Sequence, residues 1–147
     1  MTSTDALVAP TPRPVVRFVN PSGLYDPRPN GYSHVALTPA GCRWIHASGQ
    51  GGEDVHGALA PDFERQVLQA LRNLVAALAA GGAGVGDVVR LQVLVVDHSE
   101  ERLAVFGRAL GALWGERPPP ACTLIPVPRL ALDGMLFEIE ATAALPA

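Results

Sequence analysis

Three side chains near the C-terminus could do chemistry together: the thiol of Cys122 in "PPPACTLIPVPRL" and the carboxyl groups of Glu138 and Glu140 in "LFEIEATA". A cysteine acts as a nucleophile only as its thiolate, which needs a neighbouring base or positive charge to lower its pKa from about 8.5. His34 and His46 are the imidazoles that could approach, but no spacing sets either beside the thiol. Cys122 therefore reads as the wall of a pocket. Glu138 and Glu140 alternate with Phe137 and Ile139, so both carboxylates project to one sheet face, where either could orient a water as a general base. The plainer reading is a solvated strand face paired with arginines such as Arg90, and Glu140 is assigned to it.

No cofactor or metal site is expected. Cys42 and Cys122 have no CxxC or Cys/His spacing and fit a reducing compartment. The glycines of "GAGVGD" precede a strand instead of following one, which is the wrong context for a phosphate cradle.

The elements that must position these groups follow from periodicity. Six of the fourteen prolines fall in residues 1–30, which reads as a proline-rich arm ahead of a single domain over 31–147. "YSHVAL" and "CRWIHAS" read as two strands of a hairpin-like pair; Trp44, His46 and Ser48 share one parity in the second. Pro61 to Ala80 is an amphipathic helix, with Phe63, Val67, Leu71, Leu74, Val75 and Leu78 on its apolar side, Pro61 in the first turn and Gly81 and Gly82 as the stop. "DVVRLQVLVVD" is a strand apolar on both faces. A second helix runs from an N-cap at Ser99 through Leu103, Phe106, Leu110 and Leu113 to Trp114. "ACTLIPVP" is a strand confined to a sheet edge by its prolines, and "MLFEIEATAA" is the last strand.

The order gives an α+β fold, a mixed β-sheet with two helices packed on one face. With Val89, Leu91, Val93 and Val95 on one parity and Val88, Leu94 and Val96 on the other, the second face is also apolar. A symmetric oligomer that buries those faces together resolves the conflict.

At 147 residues with 48% hydrophobic and 17% charged side chains, the composition is that of one globular domain. The net charge of −3 and the scattered arginines give no basic field for nucleic acid. The N-terminus has neither a signal-peptide pattern nor a membrane-spanning run, so a cytoplasmic protein without a membrane partner is expected.

From about Asn20 onward the chain resembles the Rid (reactive-intermediate deaminase) family, also called YjgF-like or L-PSP endoribonuclease-like. The resemblance rests on the ordered set "GYSHVAL", "SGQGG", "FERQVLQALRNLVAALAAGGAGVGDVVRLQVLVVD", "PPPACTLIPVPRL" and "LFEIEATA". It implies a chorismate-mutase-like homotrimer with small-molecule clefts between subunits. In the deaminating members these clefts hydrolyse 2-imino or enamine acids. By the same resemblance Tyr32, Ser48, Gly49 and Thr123 line the cleft, Glu138 holds the attacking water, and Phe106 stands where the family carries an asparagine. A ribonuclease, implied by one family label, is not expected of an acidic chain without stacking or basic patches.

One position departs from the pattern. Where the family's Pro-Ala-Arg-Ser/Thr motif carries the arginine that clamps the substrate carboxylate, this chain reads Pro120, Ala121, Cys122, Thr123. A guanidinium is always charged and meets a carboxylate bidentately; a thiol is neutral at pH 7 and a weak donor. Losing a charge-assisted hydrogen bond costs about 1.5–3 kcal/mol, at least a tenfold drop in carboxylate affinity. The expectation is a homotrimer that binds a small metabolite without standard arginine-dependent deamination. The alternative is a 2-imino or enamine acid deaminase, a hydrolase releasing ammonia, in which Arg129, Arg13 or Arg17 replaces the clamp.

Overall fold

The computed structural model describes residues 15–147. Strands β1 (Arg17–Val19) and β2 (Val35–Leu37) form a small antiparallel sheet. The main sheet has the order β3-β6-β4-β5, built from β3 (Arg43–Gly51), β4 (Val88–Val96), β5 (Ala121–Val127) and β6 (Phe137–Leu145). Only β4 and β5 run parallel, joined through helix α2 (Glu100–Trp114), so the sheet is mixed. Helix α1 (Phe63–Ala80) packs against β3, β6 and α2. The α+β architecture with two helices on one face is as the periodicity requires.

The core lies between the helices and the sheet. Val67, Ala70, Leu71, Leu74 and Leu78 of α1 recur at three- and four-residue steps and are all buried. They meet Leu91, Val93 and Val95 of β4, Phe137, Ile139, Ala141 and Ala143 of β6, and Phe106, Leu110 and Trp114 of α2. Val75, on the apolar side by sequence, is 36% exposed. Asp62, rather than Pro61, opens α1, accepting from the Arg65 N–H; Ser99 caps α2 by accepting from the Arg102 N–H.

Two strand readings are corrected. "YSHVAL" and "CRWIHAS" do not pair with each other: β2 pairs with β1, inside the stretch read as the arm, while β3 pairs with β6. Nine-residue β3 finds in nine-residue β6 a partner whose alternate side chains are core, whereas β2 is three residues long. The alternation of β4 also breaks. A bulge between Val88 and Arg90 puts Val88 in the main core and Val89 in a second cluster with Val16 and Ala144.

Beyond the bulge, the face away from the helices carries three rows across β6, β4 and β5: Thr142, Arg90, Ala121; Glu140, Gln92, Thr123; and Glu138, Leu94, Ile125. Only Ala121, Leu94 and Ile125 of these nine are apolar, which corrects the expectation of an apolar second face: the bulge turns Val88 into the core and leaves Arg90 and Gln92 outward, while Ile125 is 38% and Trp44 45% exposed.

Candidate functional site

The residues singled out by sequence fall into two groups. The first sits where β5 begins. Ser33 is buried and bound twice: its N–H donates to the Pro120 carbonyl (2.9 Å) and its hydroxyl to the Pro119 carbonyl (2.6 Å). A parallel bridge from Ser33 to Ala121 completes the tie, so Tyr32 is held beside the head of β5. Cys122 pairs in register with Leu91 and packs against the main core, on the helix side of the sheet. Burial pushes its thiol up to about 11, opposed in part by the Arg90 charge. Such a thiol stays protonated at neutral pH and is no nucleophile. Phe106 is buried at 5% exposure, packed on Phe137 with ring centroids 5.4 Å apart. It lines a recess of about 380 Å³ between α2 and the turn over Arg28–Asn30. Thr123 is exposed on the opposite sheet face from Cys122.

The second group sits on β3 and β6. Their register shifts between Ala47 and Gln50, leaving Ser48 and Gly49 as a bulge, and the Gln50 side-chain amide donates to the Ser48 carbonyl at 3.0 Å. The bulge lets the Glu138 side chain lie against the backbone: a Cβ on Gly49 would come within 2.7 Å of the Glu138 carboxyl carbon. Burial, then the charges of Glu53 and Glu140, raise the pKa of Glu138 above the ordinary carboxylate value. Among the described residues no ion pair relieves this repulsion, and Arg90 instead donates to Gln92 Oε1 at 3.2 Å.

Gln66 supports this second group. Fully buried, it donates to the carbonyls of Ala60 (2.7 Å) and Gly134 (2.8 Å) and accepts from the Leu136 N–H (2.8 Å), so its polar atoms are satisfied. It thereby ties α1 to the start of β6. Gly52 rests on its backbone, where a Cβ would lie 2.6 Å from Gln66 Cα. Asn73 donates to the carbonyls of Gly51 (3.0 Å) and Glu53 (2.8 Å), fixing the loop that carries Glu53. Sequence reasoning missed Glu53 as a site residue; its one sequence mark is an acid directly after the glycines of "GQGGED".

The remaining candidates lie apart. Arg129 is tied to Asp133 by an ion pair of 3.0 Å, both side chains largely exposed. Arg17 pairs with Leu37 in the small sheet and lines a recess of about 540 Å³ with Val16, Phe18 and Arg117. Arg13 lies outside the described residues. The His34 ring contacts the Tyr25 carbonyl at 2.8 Å, and His46 Nδ1 lies 3.4 Å from the Thr142 hydroxyl, so both imidazoles have partners other than Cys122. Among the described residues no cluster of three potential metal ligands occurs, and no helix is long and apolar enough to cross a membrane.

The family model described as Endoribonuclease L-PSP matches residues 26–145. This chain belongs to the Rid/YjgF, or L-PSP, family. Among curated relatives it is similar to the RutC family protein YjgH of Escherichia coli K12, 32% identical over 102 residues, covering 69% of this chain and 76% of that one. Among solved structures it is similar to the Rid family protein YyfB from Yersinia pestis, itself described as of unknown function. That likeness has a TM-score of 0.84 and 39% identity, covering 89% of this chain and 99% of the other. It is also similar to E. coli TdcF with bound serine, at TM-score 0.64 and 25% identity, covering 74% and 84%. Rid membership agrees with the resemblance carried by the ordered motifs.

Proposed function

We propose that this Rid protein forms a homotrimer in which the Tyr32–Cys122 edge of one protomer meets the Gly49–Glu138 bulge of its neighbour around a cleft for a small metabolite. One observation carries the reading: within a single chain the Cys122 thiol and the Glu138 carboxyl lie on opposite faces of the main sheet, with β4 between their strands. A ligand that touches both needs two copies. The outer face, with Leu94 beside the exposed Ile125 and with the exposed Trp44, supplies apolar surface for those copies to bury.

The ligand is of amino-acid size, a reading supported by the serine bound to TdcF. In this chain a carboxylate on such a ligand meets a neutral thiol, so its binding is weak relative to family members that carry arginine there. In this reading Glu138 takes a proton from a water adding to an imine carbon and returns it to the departing nitrogen, which gives a slow hydrolytic deamination. The alternative with a substitute arginine draws no support from Arg129, which is engaged by Asp133. A role without nucleic acid is proposed from the net charge of −3, and a cytoplasmic setting from two cysteines that fit a reducing compartment.

Native mass spectrometry of the purified full chain tests the assembly and the occupant together. A mass of three chains that sheds a small molecule on collisional activation is expected. A monomer at micromolar concentration would contradict the reading.

A further inference from the structure

Tyr25 belongs to neither hydrophobic cluster and is 62% exposed, yet it is held from several directions. Its hydroxyl is hydrogen-bonded to the hydroxyl of Tyr32, and the two rings stand edge to face at 6.5 Å and 72°. The His34 imidazole sits against both phenols, 5.2 Å and 84° from Tyr25 and 5.6 Å and 89° from Tyr32. A His34 ring nitrogen meets the Tyr25 carbonyl at 2.8 Å, and the His34 N–H donates to Asn20 Oδ1 at 2.8 Å. Arg28 grips Asp26 through two contacts of 2.8 Å, which tightens the turn leaving Tyr25. Three side chains from one loop thus make a closed aromatic cluster outside the core.

The cluster answers a mechanical need. Ser33 fixes the backbone at the head of β5 through its two bonds to Pro119 and Pro120, and the two residues before it, Gly31 and Tyr32, leave a turn closed by a left-handed glycine (Gly31, φ 78°). That geometry anchors the main chain and leaves the Tyr32 ring free about its own torsions. The edge-to-face rings and the hydroxyl contact remove that freedom.

We propose that Tyr25 and His34 are positioning residues: they hold the Tyr32 phenol in one orientation at the mouth of the cleft. The hydroxyl pair also directs polarity. If Tyr32 donates within the pair its oxygen becomes a stronger acceptor, and if it accepts its own O–H becomes a stronger donor, so the phenol keeps a strengthened hydrogen-bonding site for the cleft. This inference rests on the reading of Tyr32 as a wall of that cleft.

The chain contains two tyrosines, so full-length protein labelled with ring-¹³C tyrosine reports Tyr32 alone in the Tyr25→Phe variant and Tyr25 alone in Tyr32→Phe. Tyr25→Phe keeps the ring and removes the hydroxyl; His34→Leu keeps bulk and removes the imidazole. In both, the Tyr32 ring signals are expected to shift and broaden. Hydrolysis of freshly generated 2-aminoacrylate, measured in a Cys122→Arg background, is expected to show KM raised about two- to tenfold with kcat little changed. Tyr32 signals identical to those of the parent in both variants would overturn the proposal, and they decide even where hydrolysis is too slow to follow. A KM insensitive to Tyr32→Phe would overturn the cleft reading and the proposal with it. A KM that responds to Tyr32→Phe beside unmoved Tyr32 signals in Tyr25→Phe would overturn the proposal alone.

Discussion

The head of β5 and the β3 bulge are held by different physics. At the head of β5, Ser33, Pro119 and Pro120 are joined by backbone-directed hydrogen bonds, and Cys122 is a neutral, half-buried side chain packed against the margin of the core. At the bulge, glycines make room for carboxylates that repel one another, Glu138 above all. One region is ordered and electrically quiet, the other is charged and unrelieved. In the proposed cleft, the cysteine at position 122 leaves the acidic half without a cationic counterweight. On that proposal, an anionic ligand gains little on one side and is opposed on the other.

The largest effect should come from crowding the support of the acidic half. Gly52→Ala drives a methyl group into the Gln66 backbone, which can yield only by moving α1, and a loss of about 1–3 kcal/mol in urea unfolding is expected. Gly49→Ala sharpens the comparison: the nearest atoms its methyl meets are those of the movable end of Glu138, so most stability should survive while the carboxyl is displaced. Equal losses for the two variants would show that the bulge is not the adaptable part.

The smallest effect concerns the charge itself. The folded-state pKa of Glu138 is raised, so ionising it costs the folded protein at neutral pH, and the cost disappears as pH falls below the ordinary carboxylate range. Glu138→Gln should therefore raise Tm by about 1–3 °C at pH 7, since the carboxyl is partly solvated and its repulsion screened. The gain should shrink toward zero near pH 4. A loss of stability at pH 7 would mean that an attractive partner, not repulsion, dominates around Glu138.

The sequence made some of this legible and hid the rest for physical reasons. Three- and four-residue spacing located both helices, because α1 and α2 each bury one stripe. The prolines of β5 marked it as an edge strand, which it is. Alternation put Glu138 and Glu140 on one face, and the rows across β6 and β4 agree. Alternation could not see the extra residue between Val88 and Arg90, since a bulge leaves no mark in a run of valines. It also could not choose partners for β2 and β3: the partner of β3 lies at the far end of the chain, and pairing over that distance is decided by the whole core. Glu53 and Tyr25 sit in loops where no period applies, so their closeness to Glu138 and Tyr32 emerged only from the fold.

The missing guanidinium is tested most directly by the steady-state hydrolysis of freshly generated 2-aminoacrylate by the wild-type chain and by Cys122→Arg, beside a family member that carries arginine at this place. Cys122→Arg, with its folding checked by thermal unfolding, is expected to raise kcat/KM at least about tenfold over a slow wild type. Wild-type turnover equal to that of the arginine-bearing relative, unimproved by the substitution, would contradict it.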